Sequence, residues 1–261
     1  MNRRMFLGAS AAVAAAGSEA SAADQTMNQY YELRTYQLRT NSSAQANRLS
    51  AFWEEHHLPM TKRLEIGPVG YFQVYLGPEM PKMVMLTAYE SLAAIETKMT
   101  AMAADKAWNK AVKDLGADSN RAYERIESSL LRAFDGMPEL EVPSVEKEKP
   151  GRLFDLRRYE ADSAAASAAK IDMFNQEEIK IFRRAGIQPV FFGQTIVGSR
   201  MPNLTYMVCY DDMAGRDAAW KKFLDDPDWK RIRVKPGWTD AEVVSNITNT
   251  FLRPLAFSPI R

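Results

Sequence analysis

The chain has 261 residues, 46% of them apolar and 26% charged, with 34 Lys and Arg against 33 Asp and Glu. That near-balance provides no basic footprint for nucleic acid or for an anionic membrane, so a small or neutral partner fits better. The length allows one large domain or two of ordinary size.

Residues 1–22 stand apart. Arg3-Arg4-Met5-Phe6-Leu7, an Ala-rich run to Ala16 and then Ala20-Ser21-Ala22 form the pattern of a cleavable export signal of the twin-arginine type, with an ordinary secretory signal as the alternative. The run is too short and too rich in Ala to cross a bilayer. A periplasmic or secreted protein, with no membrane insertion once the signal is gone, is therefore expected. Cleavage would take away Arg3, Arg4 and Glu19, leaving 32 basic and 32 acidic side chains. Cys209 is the sole cysteine, so no internal disulfide can form, and its place in the apolar run Leu204 to Tyr210 suits a small core hydrophobe.

From residue 28 the chain reads as two copies. Tyr30-Tyr-Glu-Leu-Arg-Thr-Tyr36 predicts a strand, with Glu32, Arg34 and Tyr36 on one face and Tyr31 and Leu33 on the other; Phe154 to Tyr159 repeats it, placing Asp155, Arg157 and Tyr159 together. A helix follows from about Ser43 to Glu65, with Leu49, Phe52, Trp53, His56, Met60 and Leu64 as its apolar stripe and Pro59 expected to kink or split it. In the second copy the stripe is Ile171, Phe174, Glu178, Ile181 and Phe182. One polar residue thus interrupts each stripe, His56 in the first and Glu178 in the second.

Gly67 to Glu90 predicts a hairpin whose turn is held by Gly77, Pro78 and Pro81, and Phe192 to Asp211 repeats it with Gly198 and Pro202. A second helix from Ser91 to about Ala104 and a last strand, Tyr123 to Arg132, complete the copy. Trp108 and Trp229 match at an offset of 121, and the last strand recurs as Val243 to Arg253. Each copy, 28–134 and 152–255, has the βαββαβ order of a ferredoxin-like unit, and the Pro-, Glu- and Lys-rich 135–151 reads as a linker. One four-stranded sheet with helices on one side leaves its other face bare. Two such sheets packed bare face to bare face predict a closed or nearly closed α+β barrel within a single chain.

Together, Tyr31-Glu-Leu-Arg-Thr-Tyr36, His56-His57-Leu58-Pro59, Val69-Gly70-Tyr71-Phe72, Ala88-Tyr89-Glu90 and Trp108 resemble the NIPSNAP family, over nearly all of 28–134 and more weakly over 152–255. The resemblance implies the dimeric α+β barrel fold, here as a pseudo-dimer. It implies little about activity. Related barrels include cofactor-free oxygenases, isomerases and haem enzymes, an analogy at the level of fold.

Two constellations bear chemistry. His56, on the stripe facing the sheet, is a candidate general base, and with Tyr36, Trp53, Tyr71, Trp108 and Glu178 it makes the candidate ligand-binding set; His57 reads as solvated. The same pattern suits a core histidine bonded to a carbonyl or a tyrosine. Met99 and Met102 could also line such a pocket, or belong to plain core. Glu32, Arg34, Asp155, Arg157 and Tyr159 form the second set, expected as a polar network inside the barrel that pairs its own charges.

No zinc-type His pair, Cys cluster, phosphate loop or dinucleotide fingerprint occurs, so neither metal nor cofactor is expected. The expected activity is binding of a small apolar or aromatic molecule in the first copy. The alternatives are a protein-interaction scaffold and a cofactor-free oxygenase or isomerase. Oligomerisation stays open.

Overall fold

The computed structural model describes residues 27–40, 43–117, 120–144 and 152–261, so the export signal expected at 1–22 and the end of the linker lie outside the described residues. Repeat 1 comprises β1 (Tyr30–Gln37), α1 (Ser43–Phe52), α2 (Leu58–Arg63), β2 (Val69–Leu76), β3 (Lys82–Tyr89), α3 (Leu92–Ala104), α4 (Lys106–Ala117) and β4 (Arg125–Ala133). Repeat 2 comprises β5 (Leu153–Glu160), α5 (Ala164–Met173), α6 (Ile179–Ala185), β6 (Gln188–Val197), β7 (Asn203–Tyr210), α7 (Met213–Asp225), α8 (Pro227–Ile232), α9 (Asp240–Val243) and β8 (Asn246–Pro254). Matching side chains start matching helices. Ser91 accepts the Ala94 N–H at the head of α3, and Asp212, 121 residues on, accepts that of Gly215 at the head of α7.

The eight strands of the described residues are antiparallel and close into one barrel in the order β1-β3-β2-β8-β5-β7-β6-β4. Within each repeat the order is that of a ferredoxin-like sheet. The edges β2 and β4 pair with β8 and β6 of the other repeat, so no strand edge is left bare.

The barrel interior is apolar and draws on every strand, with Tyr31, Leu33, Phe72, Val84, Leu131, Phe154, Phe191, Met207, Cys209 and Leu252 among its residues. Rings from the two repeats meet there, Tyr31 on Phe191 and Phe72 on Phe154 with centroids 5.0 Å apart. Cys209 is among these residues, and burial pushes its thiol up to about 11.

The polar faces of β1 and β5 therefore point the other way. Glu32, Arg34 and Tyr36, and likewise Asp155, Arg157 and Tyr159, lie outside the barrel beneath the helices, which corrects the expected interior network. A filled barrel of eight strands has no route to water, and these six ionisable or phenolic groups would cost too much there. Under the helices each charge finds a partner, Arg34 with Glu32 at 2.6 Å and Arg157 with Asp155 at 3.4 Å.

Pro59 does not break its helix. Instead α1 and α2 run together through a π turn, Trp53–His57, in which the Leu58 N–H bonds the Trp53 carbonyl five residues back. The same turn recurs at Phe174–Glu178, where no proline follows, so it belongs to the repeat and not to Pro59. Helix α6 ends on Gly186, whose φ of 87° is left-handed, with no atom near enough to touch an added Cβ. Gly186→Ala should thus lose only the backbone preference, about 1 kcal/mol by urea denaturation; a loss above about 3 kcal/mol would show that the side-chain space matters as well.

The first half of the linker is not a free tether. Pro138 accepts the Gln29 N–H, Leu140 donates to Gln29, the Glu141 N–H bonds Val190, and Arg183 holds the Glu141 carboxylate. The C-terminal tail, which the periodicity left unassigned, seats on repeat 1. Ile260 is fully buried and Ser258 accepts the Tyr71 N–H at 2.9 Å.

Candidate functional site

In repeat 1 the outer face of the sheet and the helices above it enclose a cavity of about 130 Å³, lined by Glu32 and Arg34 of β1, Met85, Thr87 and Tyr89 of β3, His57, Met60 and Thr61 of the first helix, Ile66, and Met99 and Met102 of α3. Strand alternation puts Glu32 and Arg34 on one face, and the register sets Arg34 beside Met85 and Glu32 beside Thr87. Thioethers and aliphatic groups form the walls. Polar groups enter from both layers, Glu32, Arg34, Thr87 and Tyr89 from the sheet and His57 and Thr61 from the helix.

His57, not His56, is the histidine of this cavity. His56 is exposed, with its ring 5.6 Å from Phe52, whereas His57 is only 6% exposed and its Nδ1 hydrogen-bonds the Tyr71 hydroxyl at 2.7 Å. The π turn explains the exchange. One extra residue per turn moves the inward stripe forward by one position after Trp53, so that His57 and Thr61 take the places that plain α spacing assigns to His56 and Met60. At an offset of 121, Glu178 is the partner of His57.

Burial, reinforced by the nearby Arg34 cation, pushes the His57 imidazole down to about 4. At neutral pH it is therefore an uncharged group with one nitrogen engaged by Tyr71. Burial also raises the Tyr71 phenol far out of its ordinary range, and raises Tyr89 to about 12. Arg34 loses some charge preference to burial, but its ion pair with Glu32 and its contact with Tyr36 hold it above the usual guanidinium value. Ser128 donates a second hydrogen bond to Glu32. The site is thus electrically balanced: one compensated ion pair, one neutral imidazole and several hydroxyls.

Of the ligand-binding set, Tyr36, Trp53, Tyr71 and Trp108 form the layer behind the cavity. Tyr36 packs edge-on against Trp53, Trp53 against Tyr71, and Tyr71 and Trp108 flank the His57 ring. Phe72 points into the barrel. Met99 and Met102 do line the space. Met60, Thr61, Ile66, Met85, Thr87 and Tyr89 were not legible as lining, because nothing in their spacing separates a wall from plain core.

Glu178 belongs to repeat 2 and to a different environment, buried against Lys170 at 3.1 Å. Asp155, Arg157 and Tyr159 lie beside it under α7, where Arg157 donates to Asp155 and to the Tyr159 hydroxyl. Each repeat therefore keeps its own polar group, and the barrel wall separates the two. Among the described residues no group of three or more His, Cys, Asp or Glu could hold a metal ion.

Helix α3 above the cavity is unusual in burying none of its residues, whereas α7 buries Ala219 and Phe223. Met99, 59% exposed, lines both the cavity and an apolar groove of about 480 Å³ along α3 with Leu92, Ile95, Ala103 and Leu130.

The NIPSNAP family profile matches residues 31–135 and 154–259. Among curated protein sequences none matches significantly. Proposed monooxygenases from Lactobacillus acidophilus and Fusobacterium nucleatum superpose with TM-scores of 0.54 and 0.55 at 10% and 8% identity, covering 87% and 88% of this chain and 94% and 93% of theirs. At such identities the likeness is one of fold. A NIPSNAP-like domain protein from Burkholderia xenovorans, 21% identical, covers 47% of this chain and 98% of its own, with a TM-score of 0.37.

Proposed function

The chain belongs to the NIPSNAP family as a tandem of two repeats, and on that premise we propose that it binds a small, largely apolar molecule in the cavity of repeat 1. The observation that supports this is that His57 from the helix layer and Arg34 and Thr87 from the sheet all line one partly enclosed, largely apolar space. His57 serves as a neutral hydrogen-bonding partner. With its imidazole near 4 it would hold an abstracted proton poorly at neutral pH, which weighs against a general-base role and so against the oxygenase or isomerase alternative. The monooxygenase descriptions of the structural neighbours are theirs and bring no residue to this site.

Met99→Trp tests the reading. The position is exposed, so the variant should fold, while the indole would occupy the mouth of the cavity. Titration calorimetry with cyclohexanol should give binding by the wild-type chain and none by the variant, at unchanged melting behaviour. Equal binding by the two proteins, or by neither, would count against the cavity as a site. A scaffold reading is favoured by the bare apolar face of α3 alone, and it predicts that second outcome.

A further inference from the structure

Both repeats build the same space between the outer face of the sheet and their second long helix, and they fill it differently. At an offset of 121, Thr61, Met85, Met99 and Met102 correspond to Phe182, Tyr206, Trp220 and Phe223. Those four rings pack on one another, with Phe182 at 5.8 Å from Tyr206, 5.7 Å from Trp220 and 4.9 Å from Phe223. Among them the Trp220 ring covers the Arg157 guanidinium, 4.6 Å from its Cζ, while Arg157 bonds Asp155 and Tyr159.

Arg34 keeps the counterparts of these last two partners, Glu32 and Tyr36. What it lacks is the ring. Met99 stands where Trp220 does and turns largely to solvent, so the guanidinium borders a cavity instead of an indole. Resting on the reading of that cavity as a ligand site, we infer that the ligand is an uncharged aromatic ring that stacks on Arg34, in the place that Trp220 takes within repeat 2.

Three further features agree. The charge of Arg34 is already met by Glu32 and His57 is neutral, so a charged ligand would bring an unpaired charge into a half-buried space. The walls supply the thioethers of Met60, Met85, Met99 and Met102, which make favourable contacts with ring edges. The volume also suits one ring, since an engineered apolar cavity of about 150 Å³ accepts benzene. A planar ring keeps the guanidinium covered without taking its hydrogen bonds from Glu32.

Phenol and cyclohexanol have the same carbon count and hydroxyl, and only phenol has a π face. Titrated separately into the full chain, phenol should bind roughly tenfold more tightly. Arg34→Gln keeps a donor for Glu32 but carries no cation, and should bring the two affinities together. Equal affinities in the wild type, or a preference that survives in folded Arg34→Gln, would overturn the aromatic assignment while leaving the cavity reading intact. Binding of neither compound would overturn both. Should Arg34→Gln fail to fold, the wild-type ratio alone decides.

Discussion

Glu178→Leu should lower the folding stability by about 3–5 kcal/mol, the largest loss expected from a single substitution here. Glu178 and Lys170 are each 1–2% exposed, and the Lys170 Nζ lies 3.1 Å from Glu178 Oε2. Around them stand the rings of Phe174, Trp229 and Tyr159, with Met173 Sδ at 3.4 Å and the exposed Asp240 carboxylate at 3.8 Å. Burial pulls the Lys170 ammonium down, but the charge of Glu178 outweighs it and holds the ammonium above its ordinary range. Removing Glu178 therefore leaves an ammonium whose remaining counter-charge sits at the surface.

Repeat 1 shows that the fold does not require the pair. There Leu49 and His57 occupy the equivalent positions, both buried and neither charged. Accordingly Lys170→Met combined with Glu178→Leu should regain most of the loss, because two apolar groups of similar size replace a pair that had to be desolvated. Urea denaturation of the two single variants and the double would measure the coupling. A Glu178→Leu protein within about 1 kcal/mol of wild type would mean that water reaches Lys170.

Acidification should destabilise the chain through His57. Its imidazole is neutral in the folded state down to about pH 4, while in the unfolded chain it titrates near 6.5. A depressed folded value means that the stabilisation is complete above 6.5 and drains away as pH falls towards 4. Integrated over that window the loss is about 3 kcal/mol. Asp155, raised by burial, works in the opposite direction, so the total curve blends the two. The difference between wild type and His57→Asn isolates the histidine. It should shrink steadily from pH 7 to pH 4, whereas parallel curves would mean that His57 is accessible to protons.

Much of the architecture was legible along the chain because it is written twice. Aromatic-rich strands, capped helices and paired Gly–Pro hairpins recur at offsets near 121, and each is a local pattern that survives without knowledge of its neighbours. In both hairpins even the left-handed residue recurs, Glu79 at φ 57° and Arg200 at φ 58°. The site was less legible. Glu32, Arg34 and Tyr36 were legible as sharing one face of β1, but that face was expected inside the barrel, because alternation shows which residues share a face and not which face is dry. The histidine was displaced by one position because a π turn leaves no mark in an apolar stripe read at 3.6 residues per turn.

Taken alone, then, the sequence determined the tandem repeat, the βαββαβ order and the closure of two sheets into one barrel, since strand and helix periodicity and the need to cover two bare faces admit that arrangement. Tertiary structure decided the rest. The choice of interior face followed from the cost of charge in a sealed barrel, and the backing of Tyr71 by Ser258 followed from the tail crossing between repeats. The cavity itself arises where Thr61, Met85, Met99 and Met102, from three separate elements, meet and prove too small to fill a space that four aromatic rings fill in repeat 2. An empty volume is a property of side chains brought together, and no one segment contains it.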